Sequence, residues 1–305
     1  MESLKRRMFR KEKETKKRSR YTLMAGILLA ALIVYSLCLL LPLCYGLMFS
    51  LKTNDDYTNH PIGFPNPLYF QNYIKAFEGF FVTIYNSNRV YDVFLERMFL
   101  NSTLYALGCS FMSAAVPCIA AYVVANYKYK ICKAIYGFVI VSMILPIVGS
   151  LPSELQLAKT LGLYDNFLGL WIMSGHIRSM YFLVLLATFK SFPKDYAEAA
   201  KIDGGGPFTV FFRIMLPLAR NVFFTIILIK FIEFWNDYQT PLVYMPSNPT
   251  LSYGLYLFRY NTNTEYATMP MTLTGCMMVF IPILIIFLCF RNRIIGNLTI
   301  GGIKG

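Results

Sequence analysis

Charged side chains inside long apolar runs are the residues of this sequence with the clearest chemical potential. Lys230, Glu233 and Asp237 fall at i, i+3 and i+7, so a helix would carry them on one face. An ionisable group in membrane hydrocarbon costs roughly 3 kcal/mol, so it should face protein or a wet cavity and have a partner. Glu233 is the predicted partner of Lys230, which we expect near the midplane of its helix. His176 and Arg178 are similar candidates in an earlier apolar run.

Patterns typical of enzymes are missing from the sequence. There is no GxxxxGK[ST], and the glycines at 204–206 are not followed by Lys-Ser/Thr, so the chain is not expected to hydrolyse ATP. The only histidines, His60 and His176, form no credible triad with Ser, Cys or Asp. The seven cysteines lie in or beside apolar segments without a CxxC, which favours small buried side chains over metal ligands or disulfides. We therefore predict a protein that is not an enzyme, with no metal or cofactor of its own.

The segment from Asp195 to Pro217 is the longest polar interruption between apolar runs in the second half. Residues 195–201 predict a short amphipathic helix, preceded by Pro193, which is favoured near a helix start. Three glycines at 204–206 stop it, because glycine accepts the positive φ that a tight reversal needs. Pro207 opens a second helical piece. The pattern predicts a helix–turn–helix at the membrane–water interface.

The spacing inside this segment matches a known motif. Glu198-Ala199-Ala200, then three residues, Gly204, nine residues and Ile214-x-Leu216-Pro217 resembles the EAA loop of ABC-importer permeases. In that family a cytoplasmic coupling helix docks into a groove on an ATPase subunit. The resemblance implies ATPase-coupling roles for Glu198, Ala199, Ala200, Asp203, Gly204, Ile214, Leu216 and Pro217. The alternative is an ordinary interfacial hairpin, which would have no reason to keep the later Ile-x-Leu-Pro at this distance.

The docking role agrees with the residue types. A protruding helix that enters a groove must present small side chains, as Ala199 and Ala200 would. Glu198 could pair with a cation on the partner. The glycines would let the chain turn back at once.

Composition places the chain among polytopic membrane proteins. Its 305 residues are 56% hydrophobic, with a mean hydropathy of +0.48 and a formal net charge of +13. Nucleic acid is not the expected partner, because the cations gather at the ends of apolar runs. The basic tail is instead expected to meet anionic headgroups of the lipid bilayer.

The apolar runs predict an all-α membrane protein with six transmembrane helices. The expected order is a basic cytoplasmic tail at 1–20, helix 1 at 21–50, an extracytoplasmic loop with some local structure at 51–96, a permease core at 97–290 with its cytoplasmic loop at 190–218, and a cytoplasmic tail at 291–305. Helices 2 to 6 are expected at 97–125, 134–151, 167–189, 221–243 and 269–290. Pro146 predicts a kink in helix 3. The resemblance adds the type I ABC-importer permease fold.

Cation asymmetry predicts the orientation. The tail before helix 1, the 127–133 loop, the EAA loop and the C-terminus fall on one side and are rich in Lys and Arg. The positive-inside rule places that side, and both termini, in the cytoplasm of a bacterial cell. A coupling helix must meet a cytoplasmic ATPase, so the two predictions agree.

Two further stretches resemble the maltose-type carbohydrate branch of these permeases. They are Glu233-Phe-Trp-Asn-Asp237 with Pro241-Leu242, and the ending from Asn297 to Gly305, where Asn297 stands in place of the usual glycine. The resemblance covers roughly residue 27 to the end. It implies a second homologous permease, two ATPase subunits that bind ATP and Mg, and an extracytoplasmic sugar-binding protein.

In such an importer the helix face that carries Lys230, Glu233 and Asp237, here called the polar stripe, could line the sugar pathway. Trp235 could stack on a sugar, while Asn236 and Asp237 could hydrogen-bond to hydroxyls. Three other interpretations stay open: Trp235 as an interfacial belt residue, Asn236-Asp237 as a helix end, and Lys230–Glu233 as a lock between two helices.

Two other functions remain as alternatives. One is an ABC permease for a peptide or an inorganic anion. The other is a secondary carrier that acts alone, for which midplane ion-coupling carboxylates and repeated halves would be expected. The EAA-like loop occurs once and off-centre, and no repeat is visible, which favours the ATP-driven importer.

Overall fold

The computed structural model describes residues 2–86, 89–145, 148–260 and 268–298, which are helical apart from one hairpin and the connecting turns. The first helices are α1 (Glu2–Ser50), α2 (Asn54–Asn59), α3 (Gln71–Gly79), α4 (Leu95–Asn126), α5 (Lys130–Ile144), α6 (Leu151–Thr160) and α7 (Phe167–Ser174). The later ones are α8 (Met180–Ser191), α9 (Asp195–Ile202), α10 (Pro207–Val210), α11 (Leu216–Asn236), α12 (Gln239–Tyr244), α13 (Leu251–Phe258) and α14 (Met269–Leu298). A π-helical turn, Phe211–Met215, joins α10 to α11. The strands are β1 (Phe81–Asn86) and β2 (Arg89–Phe94).

Four segments of the described residues are long and apolar enough to cross a membrane. They are Met24–Ser50, Leu95–Asn126, Pro207–Asn236 and Met269–Cys289. They correspond to predicted helices 1, 2, 5 and 6. The other two predicted spans are shorter, and each ends or breaks for a local reason.

Predicted helix 3 stops earlier than expected. α5 ends at Ile144, whereas the sequence pattern predicted a helix as far as Leu151. Proline disfavours the helical conformation of the residue before it, so a helix commonly ends just ahead of one. The predicted kink at Pro146 lies outside the described residues.

Predicted helix 4 is not continuous. α7 ends at Ser174 and α8 begins at Met180, so residues 175–179 interrupt the expected span. Gly175 is a weak helix former at the end of α7. The Ser179 hydroxyl then accepts the Tyr181 N–H at 3.2 Å and so caps a new helix. The interruption is therefore written into the local sequence, although its apolar flanks hide it.

The remaining long helices differ from prediction at their ends. α11 ends at Asn236 rather than Val243, because the Asp237 carboxylate accepts the N–H groups of Gln239 and Thr240 at 3.0 and 3.1 Å and starts α12. α14 continues to Leu298, past the expected end at residue 290. α1 begins at Glu2, so the basic tail is helical; its many Lys, Arg and Glu residues favour helix. The C-terminal ending at 299–305 lies outside the described residues.

The long loop after α1 contains the local structure that the sequence suggested. β1 and β2 pair antiparallel, from Phe81 opposite Phe94 to Asn86 opposite Arg89. Val82 and Ile84 are buried and Tyr85 is exposed, the period-2 alternation of a half-buried strand. We call the end of the molecule that carries β1 and β2 the hairpin end.

α4 and α11 run antiparallel through the middle and join two cores. At the hairpin end Trp235 of α11 lies edge-on to Phe99 of α4, with ring centroids 5.6 Å apart. At the opposite end the ring centroid of Tyr122 on α4 lies 4.7 Å from that of Phe211 in the π-helical turn. We call this opposite end, which carries α9 and α10, the loop end.

α7 packs tightly on α4. A Cβ at Gly108 of α4 would overlap the Trp171 indole of α7, and the indole Nε1 donates to the Leu104 carbonyl at 3.2 Å. Ser113 Oγ donates to the Ser174 carbonyl at 3.1 Å. These contacts fix the start of the 175–179 interruption against the middle of α4.

Candidate coupling loop and membrane-embedded polar cluster

The loop end presents a helical hairpin built by its glycines. α9 ends where the Asp203 N–H donates to the Ala199 carbonyl at 3.0 Å and the Gly205 N–H donates to the Ala200 carbonyl at 2.8 Å. Gly204 has φ +82°, a conformation that costs other L-residues about 1–2 kcal/mol. Gly205 passes so close that a Cβ there would lie 2.6 Å from the Ala200 carbonyl oxygen. The reversal expected from the glycine run is present.

The two alanines of the motif differ in exposure. Ala197 and Ala200 pack against this chain's own core at the loop end, whereas Glu198 and Ala199 are exposed. The partner contact expected of both alanines stays a prediction, and Ala200 would offer a partner less surface than Ala199. Three residues are nearly one helical turn, so Ala200 falls on the inner face beneath Ala197.

Sequence reasoning missed the apolar part of the exposed surface. Ile202 is 85% exposed and Phe208 is 80% exposed, on either side of the glycine turn, and Tyr196 is 52% exposed. The sequence feature that could have revealed them is the presence of large apolar side chains inside an otherwise polar segment. We call Tyr196, Glu198, Ala199, Ile202 and Phe208 the coupling surface.

The later motif residues form the junction with α11. Ile214 and Leu216 are half-buried, and Pro217 is exposed in the first turn of α11. Pro217 has no N–H, so it cannot complete the helical bond to Arg213, and the Leu216 N–H bonds to the Phe211 carbonyl instead. The Ile-x-Leu-Pro pattern thus fixes the π-helical turn, while Asp203 stays exposed beside Gly204.

A charged cluster lies in the apolar body between the two ends. Lys230 Nζ lies 2.8 Å from both carboxylate oxygens of Glu233, so the predicted pair forms. Both residues belong to α11, so the ion pair does not itself lock two helices together. The Lys230 side chain is 17% exposed and that of Glu233 is 56% exposed.

Aromatic rings and the helix interruption surround Lys230. Its ammonium lies 5.5 Å from the centroid of the Tyr181 ring on α8 and 5.7 Å from that of Phe234, within the range of cation–π attraction. His176, in the interruption, is close enough to Lys230, Glu233 and Arg178 to interact electrostatically. The structure thus places His176 near the Lys230–Glu233 pair and near Arg178. We call His176, Arg178, Lys230 and Glu233 the polar cluster.

Contacts within the chain occupy three residues that could have bound a sugar in the predicted pathway: Trp235, Asn236 and Asp237. Trp235 is only 2% exposed, packs against Phe99 and Phe231, and directs Nε1 to the Val279 carbonyl at 3.4 Å. Its ring therefore cannot stack on a cargo, and it is not a belt residue. The Asn236 amide donates to the Ile232 carbonyl at 2.8 Å. Asp237 caps α12 and accepts the Tyr105 hydroxyl at 3.0 Å, as expected of a helix end.

Comparison with protein families gives a direct match for most of the core. Residues 113–294 match the model described as "Binding-protein-dependent transport system inner membrane component". The chain belongs to this family. It is a permease of the inner membrane rather than an enzyme.

Individual relatives resemble the permease over almost its whole length. It is 26% identical over 282 residues to the diacetylchitobiose uptake system permease protein NgcG of Streptomyces coelicolor, covering 91% of this chain and 88% of that protein. It is 27% identical to the arabinooligosaccharides transport system permease protein AraQ of Bacillus subtilis, covering 88% and 92%. A chain from the crystal structure of a bacterial ABC transporter involved in the import of the acidic polysaccharide alginate superposes with a TM-score of 0.68 at 23% identity, covering 88% and 96%. That likeness establishes the importer permease fold.

The cysteines and the potential metal-binding side chains of the permease form neither a disulfide nor a metal site in the described residues. All seven cysteines lie in the described residues and are free there; Cys109, Cys118 and Cys132 are buried, whereas Cys38, Cys44 and Cys289 are exposed on apolar helices. Within the described ranges no group of three or more His, Cys, Asp and Glu side chains is placed to hold a metal ion.

Proposed function

We propose that this permease is one transmembrane subunit of an ATP-driven, binding-protein-dependent importer, and that its cargo is a saccharide. The observation that carries the proposal is an exposed coupling surface set on a glycine-capped helix in a chain of this family. The names of the relatives, which include carriers of diacetylchitobiose and arabinooligosaccharides, support a saccharide rather than a peptide or an inorganic ion.

The coupling surface would enter a groove on an ATPase subunit. Exposed Ile202 and Phe208 offer apolar area that would be buried on docking, and Glu198 offers a carboxylate for a cation beside them. Pairing would be specific because a helix can be inserted only where the partner is concave. ATP and Mg would be bound by that partner.

The proposed importer also implies the remaining partners. We assign it a second homologous permease, two ATPase subunits and an extracytoplasmic sugar-binding protein in a lipid bilayer. The loop end would face the cytoplasm with both termini, as the cation distribution favours, and the hairpin end would face the binding protein. The polar cluster would line the pathway between the two permeases.

Transport by the isolated complex tests the proposal. The complex is captured through a tag on this chain, placed in proteoliposomes with ATP inside, and supplied with its binding protein and labelled oligosaccharide outside. We expect accumulation that requires ATP and persists when ionophores remove ion gradients. Uptake without ATP that ionophores abolish would instead identify a secondary carrier.

A matched pair of variants tests the coupling surface itself. Glu198→Lys should leave the chain in the membrane but abolish ATP hydrolysis stimulated by the loaded binding protein. Tyr129→Lys adds a cation at an exposed site of the same end, in the connection between α4 and α5, and should retain stimulation. Equal activity of the two variants would remove the coupling role from α9.

A further inference from the structure

The polar cluster lies deep in the apolar body, at the interruption between α7 and α8. Gly175 packs beside Met112 and Val116 of α4. Met112 is 17 residues from the start of α4 and 14 from its end, or about 25 and 21 Å along the helix. Lipid headgroups are therefore far from the interruption. Anions that meet the cluster must come from within the assembly or from the cargo.

Charge within the cluster is unevenly compensated. Lys230 is neutralised by Glu233 through two contacts of 2.8 Å, and the Tyr181 and Phe234 rings hold its ammonium in place. Arg178 is exposed, and among the described residues it has no hydrogen bond or ion pair. The charges of Lys230, Glu233 and Arg178 sum to one uncompensated positive charge, carried by a guanidinium.

An uncompensated guanidinium in an apolar body is costly unless an anion reaches it in the working complex. The planar fork of arginine matches a carboxylate or sulfate with two parallel hydrogen bonds. Glu233 is more than half exposed, so its outer face can still accept hydroxyl groups. One guanidinium for an acid group and one carboxylate for hydroxyls, both close to His176, make a site for a charged sugar.

We propose that the polar cluster selects a saccharide bearing a carboxylate, sulfate or sulfonate group, with Arg178 pairing the anion. This inference rests on the proposed function. Glu233 positions Lys230 and prevents it from adding a second uncompensated charge, so a singly charged sugar unit matches the cluster. A neutral saccharide could accept hydrogen bonds from Arg178 through its hydroxyl oxygens, but it would leave the guanidinium charge uncompensated in a low dielectric, which disfavours its passage.

The chemical nature of the native cargo gives the first test. The complex is purified with its binding protein from cells, and the small molecule released on denaturation is identified by mass spectrometry. An acidic saccharide is expected. A neutral saccharide would overturn the present inference and leave the proposed function intact, whereas a peptide or an inorganic ion would overturn both.

Substitution of the arginine gives the second test, with that saccharide as the probe. Arg178→Gln should lower the saccharide imported per ATP hydrolysed by roughly ten- to a hundredfold, the range expected for one lost charged hydrogen-bond pair. Arg178→Lys should restore part of the loss, because the charge remains but the two parallel hydrogen bonds of the planar fork do not. Arg220→Gln removes an exposed cation on α11 outside the cluster and should transport as the wild type.

Other outcomes would overturn the assignment. Unchanged import by Arg178→Gln would remove the guanidinium from the pathway. Failure of Arg178→Gln to assemble, with assembly restored by Arg178→Lys, would place the missing anion on the second permease rather than on the cargo. An equal loss in both variants would indicate a structural need for the arginine shape.

Discussion

Gly204 and Gly206 show how one residue type serves two different backbone needs. Gly204 has a φ of +82° with open space around it, so only backbone conformation requires glycine there. Gly206 has φ −71° and also has open space, so nothing in its surroundings excludes a side chain. The glycine run is therefore not uniform in what it demands.

Alanine substitution at these two positions should have different results. Gly204→Ala forces a left-handed conformation on an L-residue, at about 1–2 kcal/mol, and should displace the coupling surface. We expect ATP hydrolysis stimulated by the loaded binding protein to fall severalfold. Gly206→Ala is the control and should retain stimulation. Equal effects of the two changes would refute this account of the turn.

Variants of Asp237 can distinguish a structural role of this carboxylate from a role in transport. It accepts two backbone N–H groups and the Tyr105 hydroxyl, so Asp237→Ala should reduce the thermal stability of the complex by roughly 1–3 kcal/mol. Asp237→Asn keeps an acceptor and should lose less. Import per folded complex should be retained in both. Loss of import by Asp237→Asn at unchanged melting temperature would return the residue to the pathway.

Among the elements, α7 approaches α4 most closely where Trp171 lies against Gly108. The Trp171 indole lies where a Gly108 side chain would be, and it also bonds to the Leu104 carbonyl. This close approach needs a glycine on one helix and a flat ring on the other.

A double-mutant cycle can measure that contact. Gly108→Ala should destabilise the complex, because the added methyl overlaps the ring, and overpacking of this kind costs typically 1–3 kcal/mol. Trp171→Ala should also destabilise it by leaving a cavity. The double variant should be more stable than the sum of the two losses predicts, since the smaller side chain admits the methyl. Additive losses, read from thermal unfolding, would show that the helices do not meet here.

The elements also show what sequence could predict. The long apolar runs of α1, α4, α11 and α14 were visible because twenty or more apolar residues have few other fates. The interruption at 175–179 was hidden because its capping residue, Ser179, is small and the helices on either side, α7 and α8, are apolar. Trp235 was misread because a motif states which residue is present but not which way its ring points. Only the packing of Phe99 and Phe231 decided that it is buried.

For the whole molecule, we predict which positions face the cytoplasm and which face outside, and cysteine labelling can measure this. In a background with the seven cysteines replaced, single cysteines at Ser19, Tyr129 and Ser191 should react only from the cytoplasm. Cysteines at Asn59, Thr160 and Asn261 should react from outside, although Asn261 lies outside the described residues. The reason is the excess of cations on the loop-end side. Reversed labelling at two of these sites would overturn the orientation.

The order of elements between the two functional regions has a mechanical consequence. α7 is fixed to α4, but α8 is separated from it by residues 175–179, and only Phe192, Pro193 and Lys194 separate α8 from α9. α8 has 12 residues, so it is a rigid link of about 18 Å from the coupling surface to the Tyr181 ring beside Lys230. α8 is itself packed into the loop-end core through Phe182, Leu185 and Phe189, so a displacement of α9 would move α8 only together with that core and would change how Tyr181 meets Lys230. A movement imposed on the coupling surface would thus reach the polar cluster along α8, without passing through the hairpin end.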